Sequence, residues 1–131
     1  MTEDQIQIRE LVYRWVAAIR ARDLDAVVAD HTDDIVMFDV PPPYRGVRGL
    51  AAYRDTWPTF FDFIATGAFF DVLELDIAAG DRVAYAYALL RCGSPVELTA
   101  APAQRLRLTL GFRKDGDRWQ VAHEHHSFPH H

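Results

Sequence analysis

Four segments in the second half of the chain alternate, or nearly alternate, between apolar and polar residues: "FFDVLELDIAA", "RVAYAYALLRC", "QRLRLTLGFR" and "RWQVAHEHHSF". Successive side chains of an extended strand point to opposite faces, so this period predicts strands with one buried face each. Between them lie Ala79-Gly80-Asp81, Gly93-Ser94-Pro95 and Asp115-Gly116-Asp117, which carry the residues that turns require. With turn signals separating them, the four long strands form a meander.

The first half reads as helices that cover the sheet. Thr2 and Gln5 have the spacing of a capping box, and Ile8, Leu11, Val12, Trp15 and Ile19 recur at helical steps. A helix from Glu3 to about Arg22 follows. Asp23 caps a second helix in "DLDAVVADH", "DIVMFDV" is a strand, and the prolines of "PPPYRG" end it. From Gly46, "VRGLAAYRDTW" reads as a third helix stopped near Pro58. The architecture is α+β, and with no repeat or linker the 131 residues form a single domain. A curved sheet wrapped by helices makes a cone whose mouth suits a small-molecule pocket.

Composition removes several function classes. A formal net charge of −5 argues against a nucleic-acid partner. No apolar run is long enough to span a membrane, and the acidic N-terminus lacks the features of a signal peptide, so a cytoplasmic location is expected. Lys114 is the one lysine and lies in a turn, which argues against imine chemistry. Cys92, the single cysteine, reads as a small apolar core residue. No Gly-rich phosphate loop, nucleophile elbow or H-E-x-x-H is present, and no cofactor is expected.

Candidate chemistry gathers at two places. Asp39 ends the first strand among apolar neighbours, where desolvation would favour a general base; its alternative role is to start the proline turn. In the last strand, Trp119 and Val121 mark the inward face. Strict alternation then turns His123 and His125 into the pocket and leaves Glu124 and His126 outside, whereas a one-residue slip reverses this. Two inward histidines could carry protons, donate hydrogen bonds, serve as inert wall, or supply two ligands to a metal with Asp39 or His31 as a third. Proton or hydrogen-bond work is the reading adopted, with no metal. Trp15, Tyr53 and Trp57 are core aromatics that would select flat or cyclic apolar ligands where they meet a cavity. Tyr85 and Tyr87 alternate with alanines, which suits packing against another sheet from a second subunit. His130 and His131 follow Pro129 as native tail or tag remnant.

"YRWVAAIRARDLDAVVADHTDDIVMFD" resembles the opening of bacterial ketosteroid isomerases and of SnoaL-like proteins of the nuclear-transport-factor-2-like superfamily. The closing "DGDRWQVAHEHHSFP" is similar to the SnoaL-like branch. The resemblance spans nearly the whole chain. It implies a cystatin-like cone of three N-terminal helices on a curved, mainly antiparallel mixed sheet, and a homodimer. It places Asp39 where the isomerases keep their proton-moving carboxylate, Trp15 at their oxyanion tyrosine, and Leu108 near their second oxyanion donor. In those isomerases the donor pair is a Tyr and a protonated Asp. With neither donor matched, His123 and His125 would have to replace them. The function implied is acid–base chemistry of isomerase, cyclase or dehydratase type on an apolar cyclic or polyketide-like compound. The alternatives are a non-catalytic binder of such a compound and a histidine-ligated metal enzyme.

Overall fold

The computed structural model describes residues 1–130, so His131 and its part in the tail reading lie outside the described residues. Helix α1 (Glu3–Ala21) starts at Thr2 with the full capping box and ends at Arg22 in the left-handed region. It buries Ile8, Leu11, Val12, Trp15 and Ile19, the stripe that the spacing predicts, together with Val16 and Ala18. The second helix, α2 (Leu24–Val28), is shorter than expected. Asp23 caps it by accepting from the Ala26 amide at 3.2 Å. Asp30 then takes a positive φ and the chain enters β1 (His31–Phe38) three residues before Asp34, where the strand was expected.

Two further expectations change between β1 and the meander. Val47–Arg48 is not helical but forms a short strand, β2, paired antiparallel with Val36 and Met37. Helix α3 (Leu50–Ala65) then runs through Pro58 instead of stopping there. A proline inside a helix forfeits one backbone hydrogen bond and crowds the preceding turn. Here Trp57 is buried and Phe60, Phe61 and Ile64 pack on the core around it, which offsets that cost.

The meander strands are β3 (Phe69–Ala79), β4 (Val83–Gly93), β5 (Leu106–Asp115) and β6 (Arg118–Ser127). Between β4 and β5 lies a one-turn helix, α4 (Pro95–Ala100), that the turn reading omits. The six strands form one mixed sheet in the order β2-β1-β6-β5-β4-β3, with β1 parallel to β6 and the other pairs antiparallel. Helix α1 packs against β3 and α3 against β1, so the helices share one sheet face. That face carries Ala86, Ala88 and Leu90 from β4 and Leu106, Leu108, Leu110 and Phe112 from β5. Among the described residues no helix is long and apolar enough to cross a membrane.

The last strand departs from strict alternation. Phe112 pairs with Val121 but Gly111 pairs with His123, which leaves Ala122 as an extra residue. Such a bulge reverses the facing of every residue beyond it. Trp119 and Val121 are buried as expected, but the next buried residues are Glu124 and His126. His123 is half-buried and His125 exposed, on the opposite face.

Candidate functional site

Between α3, the end of β1, the proline segment and the far ends of β4–β6 lies a cavity of about 460 Å³. Its wall is chiefly apolar and aromatic, with Trp57, Phe60, Phe63, Phe70 and Phe128 among its residues. Asp39 and His126 are its acid and its imidazole.

His126 belongs to a buried polar cluster organised by Glu124. Glu124 is wholly inaccessible, and its Oε1 lies 2.9 Å from His126 Nε2. Its Oε2 accepts from the Tyr53 hydroxyl at 2.6 Å and faces His31 Nε2 at 2.8 Å. Trp15 Nε1 donates to the same hydroxyl at 3.1 Å, and its ring meets His126 edge-on. A carboxylate buried this completely survives only if its lone pairs are taken up. Burial pushes its pKa up, but the hydrogen bonds from His126 and His31 outweigh that and bring it down to about 2. For Tyr53, burial and then the adjacent Glu124 charge push the phenol well above its ordinary range, so it remains a donor.

Hydrogen-bond stereochemistry locates the protons. His31 Nδ1 is 2.8 Å from the Ala29 carbonyl, which can only accept, so Nδ1 carries a proton. His31 Nε2 faces both Glu124 Oε2 at 2.8 Å and the Tyr53 hydroxyl at 3.0 Å. On the other side, an ionised Glu124 requires His126 to present Nε2–H. The remaining nitrogen, Nδ1, makes no hydrogen bond among the described residues, and the ring forms part of the cavity wall. An imidazole held in this tautomer offers its free lone pair as a proton acceptor, and the carboxylate behind it stabilises the imidazolium that forms.

The expected site residues separate accordingly. Asp39 reaches the cavity wall, half-buried, with one oxygen 2.8 Å from the Val40 amide. This is also the turn-starting contact that the sequence allows. Trp57 lines the cavity, and its buried Nε1 has no hydrogen-bond partner among the described residues. Tyr53 and Trp15 lie behind the wall in the Glu124 cluster, and Leu108 is core without reaching the cavity. His123 and His125 do not face the pocket, because the bulge at Ala122 turns them outward around Phe38. His123 Nδ1 lies 2.6 Å from the Val36 carbonyl. Nor does His31 join them as a third metal ligand, since Glu124 and Ala29 occupy both its nitrogens. Among the described residues no three His, Cys, Asp or Glu side chains are grouped so as to hold a metal ion. Cys92 lines the cavity as a neutral thiol, pushed up to about 12 chiefly by burial.

Strict alternation therefore misses Glu124 and His126, and with them the cluster in which His31 takes part. The available signal is Gly111, a glycine inside an otherwise regular strand, which commonly marks a bulge or a close approach. A Cβ at Gly111 would lie 3.3 Å from His123 Cβ.

Comparison with known proteins agrees with this architecture. No curated protein matches the chain. Among solved structures, a protein of unknown function from Pseudomonas putida KT2440, described as NTF2-like, superimposes with a TM-score of 0.87 at 32% identity, covering 100% of this chain and 90% of that one. A Streptomyces avermitilis protein of the NTF2-like family, provisionally described as a dehydratase, gives 0.75 at 13% identity and covers 98% of each chain. A Shewanella frigidimarina protein provisionally described as a ketosteroid isomerase gives 0.72 at 16% identity, covering 90% of this chain and 92% of that one. The last two likenesses concern the fold alone. The profile of the SnoaL-like domain matches residues 8–131, nearly the whole chain, and the protein belongs to that family within the NTF2-like superfamily.

Proposed function

We propose that the protein is a small-molecule enzyme working by acid–base chemistry of isomerase, cyclase or dehydratase type on an apolar cyclic or polyketide-like compound. The observation that carries this reading is the His126–Glu124 dyad, whose imidazole opens into an apolar cavity while its carboxylate stays dry. His126 Nδ1 takes a proton from carbon beside a carbonyl and returns it at another position, or delivers it to a departing hydroxyl. Asp39 is the second acid–base group of the wall.

The test is solvent-deuterium exchange at C1 of 2-tetralone, followed by NMR. Wild type should accelerate exchange, and His126→Gln should lose about 100-fold or more of that acceleration. Asp39→Asn should also lose most of it, whereas His125→Gln, altered on the outer face, should retain it. Exchange no faster than buffer, or undiminished in His126→Gln, would refute the reading.

One observation favours a second reading, a binder without chemistry. The Trp15 Nε1 that would serve as an oxyanion donor is already given to Tyr53, and Leu108 has no donor to offer. Tight binding of a cyclic ketone with no exchange in wild type would establish it. Either form is proposed to be a homodimer through the outer sheet face, where Tyr85, Tyr87, Val83 and Leu73 are exposed. A monomeric mass by light scattering at micromolar concentration would exclude this.

A further inference from the structure

A ring compound entering the cavity meets one fixed charge. Among the described residues of the wall, Asp39 is the one acid and there is no lysine or arginine, although the chain has 14 of them. Of the arginines near the wall in sequence, Arg45 and Arg107 are exposed and not part of it, and three others are engaged elsewhere. Arg48 donates through Nε and Nη2 to the Arg45 carbonyl at 3.3 and 3.2 Å. Arg91 binds Asp71 at 3.0 Å and lies over the Phe69 ring. Arg105 Nη1 donates to the carbonyls of Pro102 and Gln104 at 3.0 and 2.8 Å. His126 shares the wall, but its Nε2 is held by the Glu124 carboxylate.

An anionic ligand would thus surrender its hydration, find no guanidinium or ammonium, and lie in the same cavity as a carboxylate. An uncharged ring gives up little hydration and gains apolar burial. A cation gains Asp39 and the faces of Trp57 and Phe60 as well. Among the described residues one Asp39 oxygen is occupied, by the Val40 amide, and the other is left for a ligand.

We infer that Asp39 is a specificity-determining residue, through which the cavity admits uncharged and cationic ring compounds and rejects anionic ones. The inference rests on the cavity being the ligand site, as proposed above, but not on any reaction occurring there.

The test uses three probes of one shape, 2-naphthalenemethanol, 2-naphthylmethylamine and 2-naphthoate, titrated calorimetrically at pH 7.5. In wild type, naphthoate should bind at least about tenfold more weakly than the alcohol. The amine should bind at least as tightly as the alcohol. Asp39→Asn retains an oxygen for the Val40 amide but removes the charge. It should narrow the alcohol–naphthoate gap about threefold or more and weaken the amine, with the alcohol within about twofold of wild type. Naphthoate binding on a par with the alcohol, or ratios unchanged in Asp39→Asn, would overturn the inference and leave the proposed chemistry standing. Failure of all three probes to bind would overturn both. A normal binding pattern with no exchange of 2-tetralone would overturn the chemistry alone.

Discussion

Tyr53→Phe removes one oxygen from the centre of the buried cluster and leaves the ring in place. That oxygen donates to Glu124 Oε2 at 2.6 Å and accepts from Trp15 Nε1 at 3.1 Å, with no exposure of the residue to solvent. A hydrogen bond to a charged group contributes about 1.5–3 kcal/mol, and a buried donor left without an acceptor costs about 1–3 kcal/mol. The expected destabilisation is about 3–5 kcal/mol, well above the roughly 1 kcal/mol of a typical substitution. In a chain of this length it corresponds to a fall in Tm of about 10–20 °C. Urea denaturation at pH 7 measures it directly, with the slope m unchanged from wild type. Coupling provides a second readout: Trp15→Phe should cost less in the Tyr53→Phe background, where its indole N–H already lacks an acceptor. A loss below about 1 kcal/mol, or additive effects of the two substitutions, would refute this account of the cluster.

Glu124 makes stability depend on acid. Its folded pKa of about 2 lies below the ordinary 4.5, so its contribution is complete above pH 4.5 and disappears as the pH falls towards 2. The gap corresponds to about 3 kcal/mol, and chemical denaturation from pH 6 to pH 3 should show most of it lost; stability flat over that range would contradict the result. Cys92, with its thiol at about 12, should react with iodoacetamide at pH 8 far more slowly in the folded protein than in urea, and equal rates would contradict its burial. Gly46→Ala forces a side chain onto φ +86°, with its Cβ 2.6 Å from Phe38 Cδ1 and 2.9 Å from the Met37 carbonyl. A loss of about 1–3 kcal/mol is expected in thermal denaturation, and wild-type Tm would contradict the strain.

Local periodicity is readable because each residue's face depends only on its near neighbours, and the fold follows from it. The stripe Ile8–Leu11–Val12–Trp15–Ile19 identifies α1, and "FFDVLELDIAA" matches β3 residue for residue. Errors arise where a distant contact overrides a local rule. Pro58 is tolerated because the aromatic side chains around it are buried in the tertiary core. Ser94 and Glu97 form a capping box that opens α4, a signal present in "GSPVE" but obscured by the turn residues beside it. The site fails for the same reason on a finer scale. Asp39, one residue beyond β1 and not in it as expected, and Trp57 on α3 reach the cavity by local structure alone. The facing of His123, Glu124, His125 and His126 depends on one unpaired residue opposite a neighbouring strand, which a period of two cannot reveal.

That unpaired residue makes β6 a strand with two readable frames. In the present frame Glu124 and His126 serve the interior, while His123 and His125 are presented outside. Deleting Ala122 would remove the bulge and leave Glu124 and His126 inside, whereas pairing Ala122 with Gly111 would slip the rest of the strand by one rung and exchange the two sets, replacing a carboxylate–imidazole couple with a pair of imidazoles. The choice of rung for one residue, not its loss, decides the chemistry of the interior without any change in side-chain vocabulary. A sequence that keeps Ala122 off the ladder preserves the site; one that pairs through it presents a different one on the same scaffold.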